Sequence, residues 1–474
     1  MGKLLKKDIS VILMFIIVLS SVAFLSLSVS STQKDNSFSI SGKVNKAINI
    51  DDPITFFSEL NNRYYYDNNN VYLNLDVQGR EKPERGIIRT PLNISVVIDK
   101  SGSMAEKNKL NFVKKAVEHI IGELDKEDYI SIVTYDDNED VILGSGRVED
   151  KASIKRIVSE IKSGGYTNLS GGMLSGFREV ESTYRRGYVN RVLLLSDGLA
   201  NRGISGRSEI AELVRERSRK YGVTISTFGV GNDFNENLMA DIADYGKGNY
   251  YYIKNSEDIP RIFASELNGV RYLAGQDSKI RIKFPSDYLT VNKVFGYPYE
   301  IFGDEIMIDL KDIFAGQKKT ILIKFDIRKK FTGRIKFRTD FEYCNPEANL
   351  EKVTSTAVNI LEPVGNETDF KKGFAERVQQ NVVVFEANEI MEQALKEADE
   401  GNYDEAKKKV KEGMDFINEQ KKDVKASTEM ERQEESLDNY GKELETANEK
   451  SEEDFKEMQK AGKYENYNTR KNNN

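Results

Sequence analysis

Hydrophobic residues follow two different periods in the middle of the chain, and the first of them predicts an α/β domain over residues 91–270. Apolar runs of strand length alternate there with segments in which apolar residues recur every three to four positions. Continuous apolar strands are typical of a parallel sheet whose two faces are both covered by helices. The pattern therefore predicts a doubly wound, mostly parallel sheet. Its strands are predicted at 93–98, 129–135, 141–143, 191–195, 223–230 and 250–253, and its helices at 107–124, 151–163, 169–184, 208–221, 235–244 and 259–267.

After residue 275 the period changes to two, which indicates strands with one buried face. Several short strands separated by turns predict an antiparallel β-sandwich over residues 271–365. Residues 71–77 show the same alternation, and such a strand needs a sheet that covers its apolar face and pairs its backbone. We therefore predict that residues 71–90 supply one strand of the sandwich plus a linker, so that the α/β domain is inserted into the sandwich. The later strands are predicted at 279–284, 289–295, 306–310, 320–327, 334–343 and 353–361.

The N-terminal end differs from this middle part. The lysine-rich start, residues 3–7, precedes an apolar run over 9–29 that is long enough to cross a bilayer. Residues 1–31 are therefore predicted to be a transmembrane anchor or, because the small residues at 28–30 offer a cleavage site, a signal segment. Lysines before the apolar run keep that end in the cytoplasm. The bulk of the chain is then extracytoplasmic, either on a single-pass anchor in the cell membrane or secreted.

Three further segments are predicted from composition and period. Residues 32–70 are polar and rich in Asn, which predicts a polar linker. Over 366–421 two helical apolar stripes flank a turn at 401–403, which predicts a helical hairpin. Residues 422–474 are highly charged with few apolar positions, which predicts a solvated charged helix that ends in a disordered tail.

The composition of the 474-residue chain excludes several classes of function. A net charge of −7 and a pI of about 5.4 argue against nucleic-acid binding, which requires a basic face. Cys344 and His119 are the only cysteine and the only histidine. They exclude zinc sites built on Cys and His, Cys-His nucleophile pairs and Ser-His-Asp triads. The sequence also lacks the glycine-rich motifs that cradle the phosphates of ATP and dinucleotides.

Most candidate metal ligands come directly after two of the predicted strands, and one more lies in a loop between two predicted helices. Asp99, Ser101 and Ser103 form a D-x-S-x-S motif directly after a buried strand, and Asp197 follows another. Thr167 lies in a loop bounded by glycines. Open α/β sheets bind their ligands at the carboxyl ends of the strands, where these residues are predicted to meet. Hard oxygen ligands of low total charge suit Mg²⁺, which keeps several waters.

This ordered set of motifs resembles a von Willebrand factor type A (VWA) domain with a complete metal-ion-dependent adhesion site, and the resemblance covers roughly residues 90–268. It implies a Rossmann-like fold with Mg²⁺ as the metal and Mn²⁺ or Ca²⁺ as alternatives. It also implies that a Glu or Asp carboxylate of a partner protein completes the metal shell. The β-rich segment that follows, with the stretch 295–298 and a turn at Gly316, resembles that of bacterial membrane-anchored surface proteins. The family pattern falls on Asp99, Ser101, Ser103, Thr167 and Asp197.

The sequence favours a binding module over an enzyme. Haloacid-dehalogenase phosphatases also place an Asp after a strand beside Mg²⁺, but they need D-x-D, and Ser101 stands at the second position here. In these motifs no general base adjoins a nucleophile. An alternative is a structural scaffold of an envelope complex, whose partner binding would survive EDTA and Asp99→Ala. A third interpretation, a partner of metal-chelatase or AAA-type ATPases, requires a cytosolic protein, and the N-terminal segment argues against it.

Overall fold

The computed structural model of the chain describes residues 52–81, 89–197, 200–255, 257–269 and 272–471. All of them lie in the unit Gly42–Asn474. The predicted anchor or signal segment, 1–31, lies outside the described residues. Within the described ranges, no helix combines the length and the apolar character needed to cross a membrane.

Three strands precede the α/β domain, and two of them stand where a linker was predicted. They are β1 Ile54–Leu60, β2 Tyr64–Tyr65 and β3 Asn70–Gly79. The predicted polar linker over 32–70 is therefore wrong from residue 54 onward. Ile54, Phe56, Ser58 and Leu60 are buried while the residues that alternate with them are exposed or partly exposed, and β1 pairs antiparallel with β3. The Asn-rich composition of the region concealed this short alternating segment.

The α/β domain contains one six-stranded sheet in the order β6-β5-β4-β7-β8-β9. Neighbouring strands are parallel except β6, which runs antiparallel to β5 at one edge. Helices cover both faces, and two hydrophobic cores lie between them and the sheet. The predicted α/β fold is confirmed. Its elements are β4 Leu92–Asp99, α1 Lys109–Glu123, β5 Tyr129–Tyr135, β6 Glu139–Arg147, α2 Lys151–Ser159, α3 Leu169–Ser182, β7 Val189–Ser196, α4 Arg207–Tyr221, β8 Thr224–Val230, α5 Glu236–Tyr245, β9 Lys247–Ile253 and α6 Ile259–Gly269.

Two further sheets surround a separate hydrophobic core. One has the order β1-β3-β14-β11 and the other β12-β13-β10-β15-β16-β2. Strand β3, which precedes the α/β domain, pairs antiparallel with β14, which follows it, so that Leu73 faces Ile323 and Leu75 faces Ile321. The later strands are β10 Leu273–Lys283, β11 Leu289–Phe295, β12 Glu300–Phe302, β13 Glu305–Phe314, β14 Lys318–Ile327, β15 Ile335–Asn345 and β16 Glu351–Pro363.

A C-terminal helical region ends the described chain. Its helices are α7 Glu367–Lys371, α8 Glu376–Asp399, α9 Tyr403–Gln420, α10 Thr428–Glu445 and α11 Glu452–Lys471. Helices α8 and α9 form the predicted hairpin. Helix α10 adds Leu437 and Tyr440 to the core of the hairpin. The predicted disordered tail is wrong as far as residue 471, because the last helix continues to Lys471. Helix α11 in turn buries Tyr467 against the α/β domain.

Candidate metal centre

Asp99 is the last residue of β4, and its side chain is completely buried. The backbone N–H of Ser101 donates to Asp99 Oδ1 at 2.9 Å. On the other side, the Ser196 hydroxyl donates to Asp99 Oδ2 at 2.7 Å, and the Tyr135 hydroxyl donates to the same oxygen at 3.3 Å. Three donors therefore hold this carboxylate in one orientation.

Asp197 follows β7, which is the parallel neighbour of β4, so the two aspartates come together at the same edge of the sheet. The Ser103 hydroxyl donates to Asp197 Oδ1 at 2.9 Å. It also lies 3.2 Å from the Ser101 hydroxyl. Asp99, Ser101, Ser103 and Asp197 therefore belong to one hydrogen-bonded cluster, as their places after two strands predicted.

Thr167 stands on the neighbouring loop between α2 and α3, and it is buried. Two backbone hydrogen bonds fasten this loop to the Asp99 loop: Gly102 N–H donates to Gly165 O at 3.0 Å, and Gly164 N–H donates to Lys100 O at 2.8 Å. Thr167 N–H donates to the side-chain oxygen of Asn201 at 2.8 Å. Backbone contacts thus place Thr167 beside the cluster.

The two buried aspartates make the centre short of positive charge. The pKa of Asp99 is raised to about 6, mainly by burial and to a smaller extent by the nearby Asp197, while hydrogen bonds from Ser101 and Ser196 act in the opposite direction. Such a shift means that the ionised carboxylate lacks compensation in its surroundings. A cation bound between the two carboxylates would supply it.

Lys109 is a functional candidate that the sequence analysis missed. Its ammonium group is buried and donates to Asp197 Oδ2 at 2.6 Å and to Asp233 Oδ2 at 3.1 Å. Burial lowers the pKa of Lys109, but these two carboxylates outweigh burial and raise it. A signal was present, because Lys109 shares a helical stripe with the buried residues Val113 and Ile120.

The donor set fits a divalent cation of the Mg²⁺ type. Two carboxylates and three hydroxyls are hard oxygen donors, and Mg²⁺ takes such donors together with several waters. In the described part of the chain, no group of three or more His, Cys, Asp or Glu residues could hold a metal. The candidate ligands around Asp99 are not such a group, because only two of them are carboxylates and the other three are hydroxyls.

Family comparison agrees with the α/β fold. The family model of the von Willebrand factor type A domain matches residues 93–265. The chain therefore contains a VWA domain. The C-terminal helical region and the two further sheets lie outside the match.

One curated relative and two solved structures show how far the likeness extends. The uncharacterized protein YfbK of Escherichia coli K12 is 30% identical over 267 residues, which cover 55% of this chain and 46% of YfbK. The match thus spans less than half the length of that relative. A von Willebrand factor type A protein from Catenulispora acidiphila has a TM-score of 0.64 at 15% identity, covering 83% of this chain and 89% of that one. The ArnB paralog VWA2 from Sulfolobus acidocaldarius has a TM-score of 0.60 at 16% identity, covering 86% and 98%. These two show a shared fold.

Proposed function

We propose that the chain is an extracytoplasmic protein-binding module that holds Mg²⁺, with Mn²⁺ or Ca²⁺ as alternatives, and recognises an acidic group of a partner protein. The metal ligands are Asp99, Ser101, Ser103, Thr167 and Asp197. The observation that carries this proposal is the buried pair of Asp99 and Asp197, joined through Ser101 and Ser103 at the carboxyl edge of the sheet. The VWA family match supports it, because VWA domains are interaction modules.

When bound, the metal supplies an electrophilic position that a carboxylate can fill. The chain's own residues prepare that position: three donors fix Asp99, and Lys109 holds the second oxygen of Asp197. At the rim, the guanidinium of Arg202 lies 4.3 Å from the centroid of the exposed Tyr166 ring. This guanidinium also lies 3.9 Å from Asp137, and an acidic ligand that reaches the centre would compete with Asp137 for it.

The remaining parts of the chain support presentation outside the cytoplasm. The apolar segment 9–29, with lysines before it, favours a single-pass membrane anchor or an exported chain. We interpret the pairing of β3 with β14 as a VWA domain inserted into a β-sandwich. Because both connections of the VWA domain then enter the sandwich, the sandwich serves as its base. A scaffold of an envelope complex without metal-dependent binding is the alternative.

Calorimetry on the full chain in detergent micelles tests the metal. We expect one Mg²⁺ site that Asp99→Ala removes. Asp287→Ala changes an exposed aspartate outside the VWA domain and serves as the control. An unchanged Mg²⁺ isotherm in Asp99→Ala would contradict the proposal.

Capture of partners from a cell-envelope extract, with Mg²⁺ or with EDTA, separates the two functions. A binding module loses its partner in EDTA and in the Asp99→Ala variant. A scaffold keeps the same partner under both conditions.

A further inference from the structure

Helix α11, which the sequence predicted to be solvated or disordered, is attached to the VWA domain by a buried lysine. The Lys460 ammonium donates to the backbone oxygen of Phe234 and to Glu236 Oε2, both at 2.6 Å. Lys463 on the same helix also pairs with Glu236. Lys460 is 5% exposed, so these bonds are shielded from solvent.

Aromatic packing supports the same attachment. Tyr464 and Tyr467 of α11 both meet the ring of Tyr250 edge-on, with centroid distances of 5.7 and 5.4 Å. Tyr250 belongs to β9, an outer strand of the VWA sheet. Edge-to-face pairs of this kind add to the energy of burial. The last helix is therefore docked onto the VWA domain.

The segment that α11 contacts, residues 233–236, also contacts the metal centre. Asp233, next to Phe234 in the chain, accepts a hydrogen bond from Lys109 at 3.1 Å. The same ammonium donates to Asp197 at 2.6 Å. A continuous series of contacts therefore connects Lys460 with the proposed metal ligand Asp197. It passes through Phe234, Asp233 and Lys109.

Two ion pairs locate α11 along the carboxyl edge of the sheet. Glu453 pairs with Lys107, which belongs to the short 3-10 helix that also carries Ser103. Glu457 pairs with Lys254, which directly follows β9. Exposed pairs of this kind contribute little energy. They show, however, that the helix borders the metal loop itself.

We propose that α11 regulates the metal centre, and this inference rests on the function proposed above. Docked α11 keeps Asp233 beside Lys109, so that one ammonium is shared by two carboxylates. When α11 undocks, the loop that carries Asp233 is no longer held in place, and Asp233 moves away from Lys109. The ammonium group of Lys109 then pairs with Asp197 alone. The field at the metal position then becomes less negative, and Mg²⁺ binds more weakly. Docking of α11 and binding of Mg²⁺ therefore favour each other.

The test uses the full chain in detergent micelles with Mg²⁺ alone as the probe. Lys460→Met and, from the VWA side, Glu236→Gln each weaken the docking. We expect each to lower the Mg²⁺ affinity about fivefold or more in calorimetry, and to speed amide hydrogen exchange over residues 452–471. Lys442→Met is the matched control, because Lys442 lies on the preceding helix α10 and pairs only locally with Asp438 of that helix. It should change neither quantity.

Reciprocity gives a readout that needs no substitution. Because coupling between two equilibria is mutual, Mg²⁺ should slow hydrogen exchange over residues 452–471 of the unchanged chain. Lys463→Met leaves Lys460 in place and gives a milder form of the test if Lys460→Met does not fold.

Three outcomes contradict the inference, and one of them also identifies a failure of the proposed function. Faster exchange of α11 at an unchanged Mg²⁺ affinity would show that the helix does not act on the metal centre. Unchanged exchange in both Lys460→Met and Glu236→Gln would show that these contacts do not hold the helix. If the unchanged chain binds no Mg²⁺, the proposed metal function fails and the inference fails with it.

Discussion

Strand β7 has a buried charged cluster at each of its ends, and the two clusters differ in how their charges are balanced. At its start, Arg191 donates to Glu266 at 2.6 Å. Ser226, Asn249 and Tyr251 also donate to Glu266, at 2.6 to 3.0 Å. Burial alone would raise the pKa of Glu266, but Arg191, Ser226 and Asn249 lower it below its usual value. This cluster is complete without any ligand.

At the other end of β7, the pKa of Asp99 is shifted in the opposite direction, above its usual value. Burial raises the pKa of this carboxylate to about 6, and the hydrogen bonds of Ser101 and Ser196 do not overcome that effect. Both clusters are equally buried, so burial does not distinguish them. They differ in where the cation binds: Arg191 bonds directly to Glu266, whereas Lys109, the cation of the other cluster, bonds to Asp197. Together with the hydroxyls gathered around it, this lack of compensation makes the Asp99 cluster the candidate ligand site, whereas the compensated Glu266 is structural.

The largest effect is expected where the balanced cluster is broken. Arg191→Met leaves Glu266 charged and buried without its cation, which should cost about 3–5 kcal/mol of unfolding free energy. Thermal unfolding followed by circular dichroism measures the loss, and Mg²⁺ should not restore it. The double variant Arg191→Met, Glu266→Gln should recover most of the stability, because it also removes the charge of Glu266 that the single variant leaves buried without a cation. A double variant no more stable than Arg191→Met would show that packing, not charge, is responsible.

Neutralising the unbalanced cluster should have the opposite effect on stability. Asp99→Asn removes an uncompensated charge, so the metal-free chain should unfold at the same temperature or a higher one. The stabilisation by Mg²⁺, about 2.7 kcal/mol at a hundredfold excess over the dissociation constant, should disappear. Unfolding scans with Mg²⁺ and with EDTA measure both quantities. A clear loss of stability in EDTA would mean that Asp99 is already compensated in the metal-free chain.

Lys109 allows the unbalanced cluster to be made more acidic. Lys109→Met leaves Asp197 without its ammonium partner, and the metal-free chain should lose about 1–3 kcal/mol. Mg²⁺ then meets less positive charge, so it should bind more tightly and restore much of the loss. Calorimetry and unfolding with and without Mg²⁺ test this. Weaker Mg²⁺ binding in Lys109→Met would show that Lys109 mainly orients Asp197.

The sequence predicted these features unevenly, and the reasons are physical. The cluster around Asp99 was predictable because Ser101 and Ser103 follow Asp99 by two and four residues, and because the sheet brings the ends of neighbouring strands together. Lys109 was missed, because a lysine at the start of a helix usually faces solvent, and only its place on the apolar stripe indicated otherwise. The docking of α11 depends on contacts between distant parts of the chain. Tyr464 and Tyr467 pack on another domain, so no period within their own segment reveals the site they cover.

The smallest effect concerns Gly165, which joins the two loops of the metal centre. Its φ of +77° favours glycine, and an added Cβ would lie 2.7 Å from Asp137 Oδ2. Gly165→Ala should cost about 1 kcal/mol of unfolding free energy. It should also weaken Mg²⁺ binding, because Gly165 O accepts the hydrogen bond that ties the Thr167 loop to Gly102.

Gly187→Ala is the matched control for this variant. Gly187 has a similar φ of +80°, but no heavy atom lies within 4 Å of the position of its added Cβ. The backbone strain is therefore nearly the same, and the metal centre is untouched. Both variants should unfold at similarly lowered temperatures, and only Gly165→Ala should bind Mg²⁺ more weakly. Equal Mg²⁺ affinities in the two variants would show that the metal centre does not depend on how the two loops are joined.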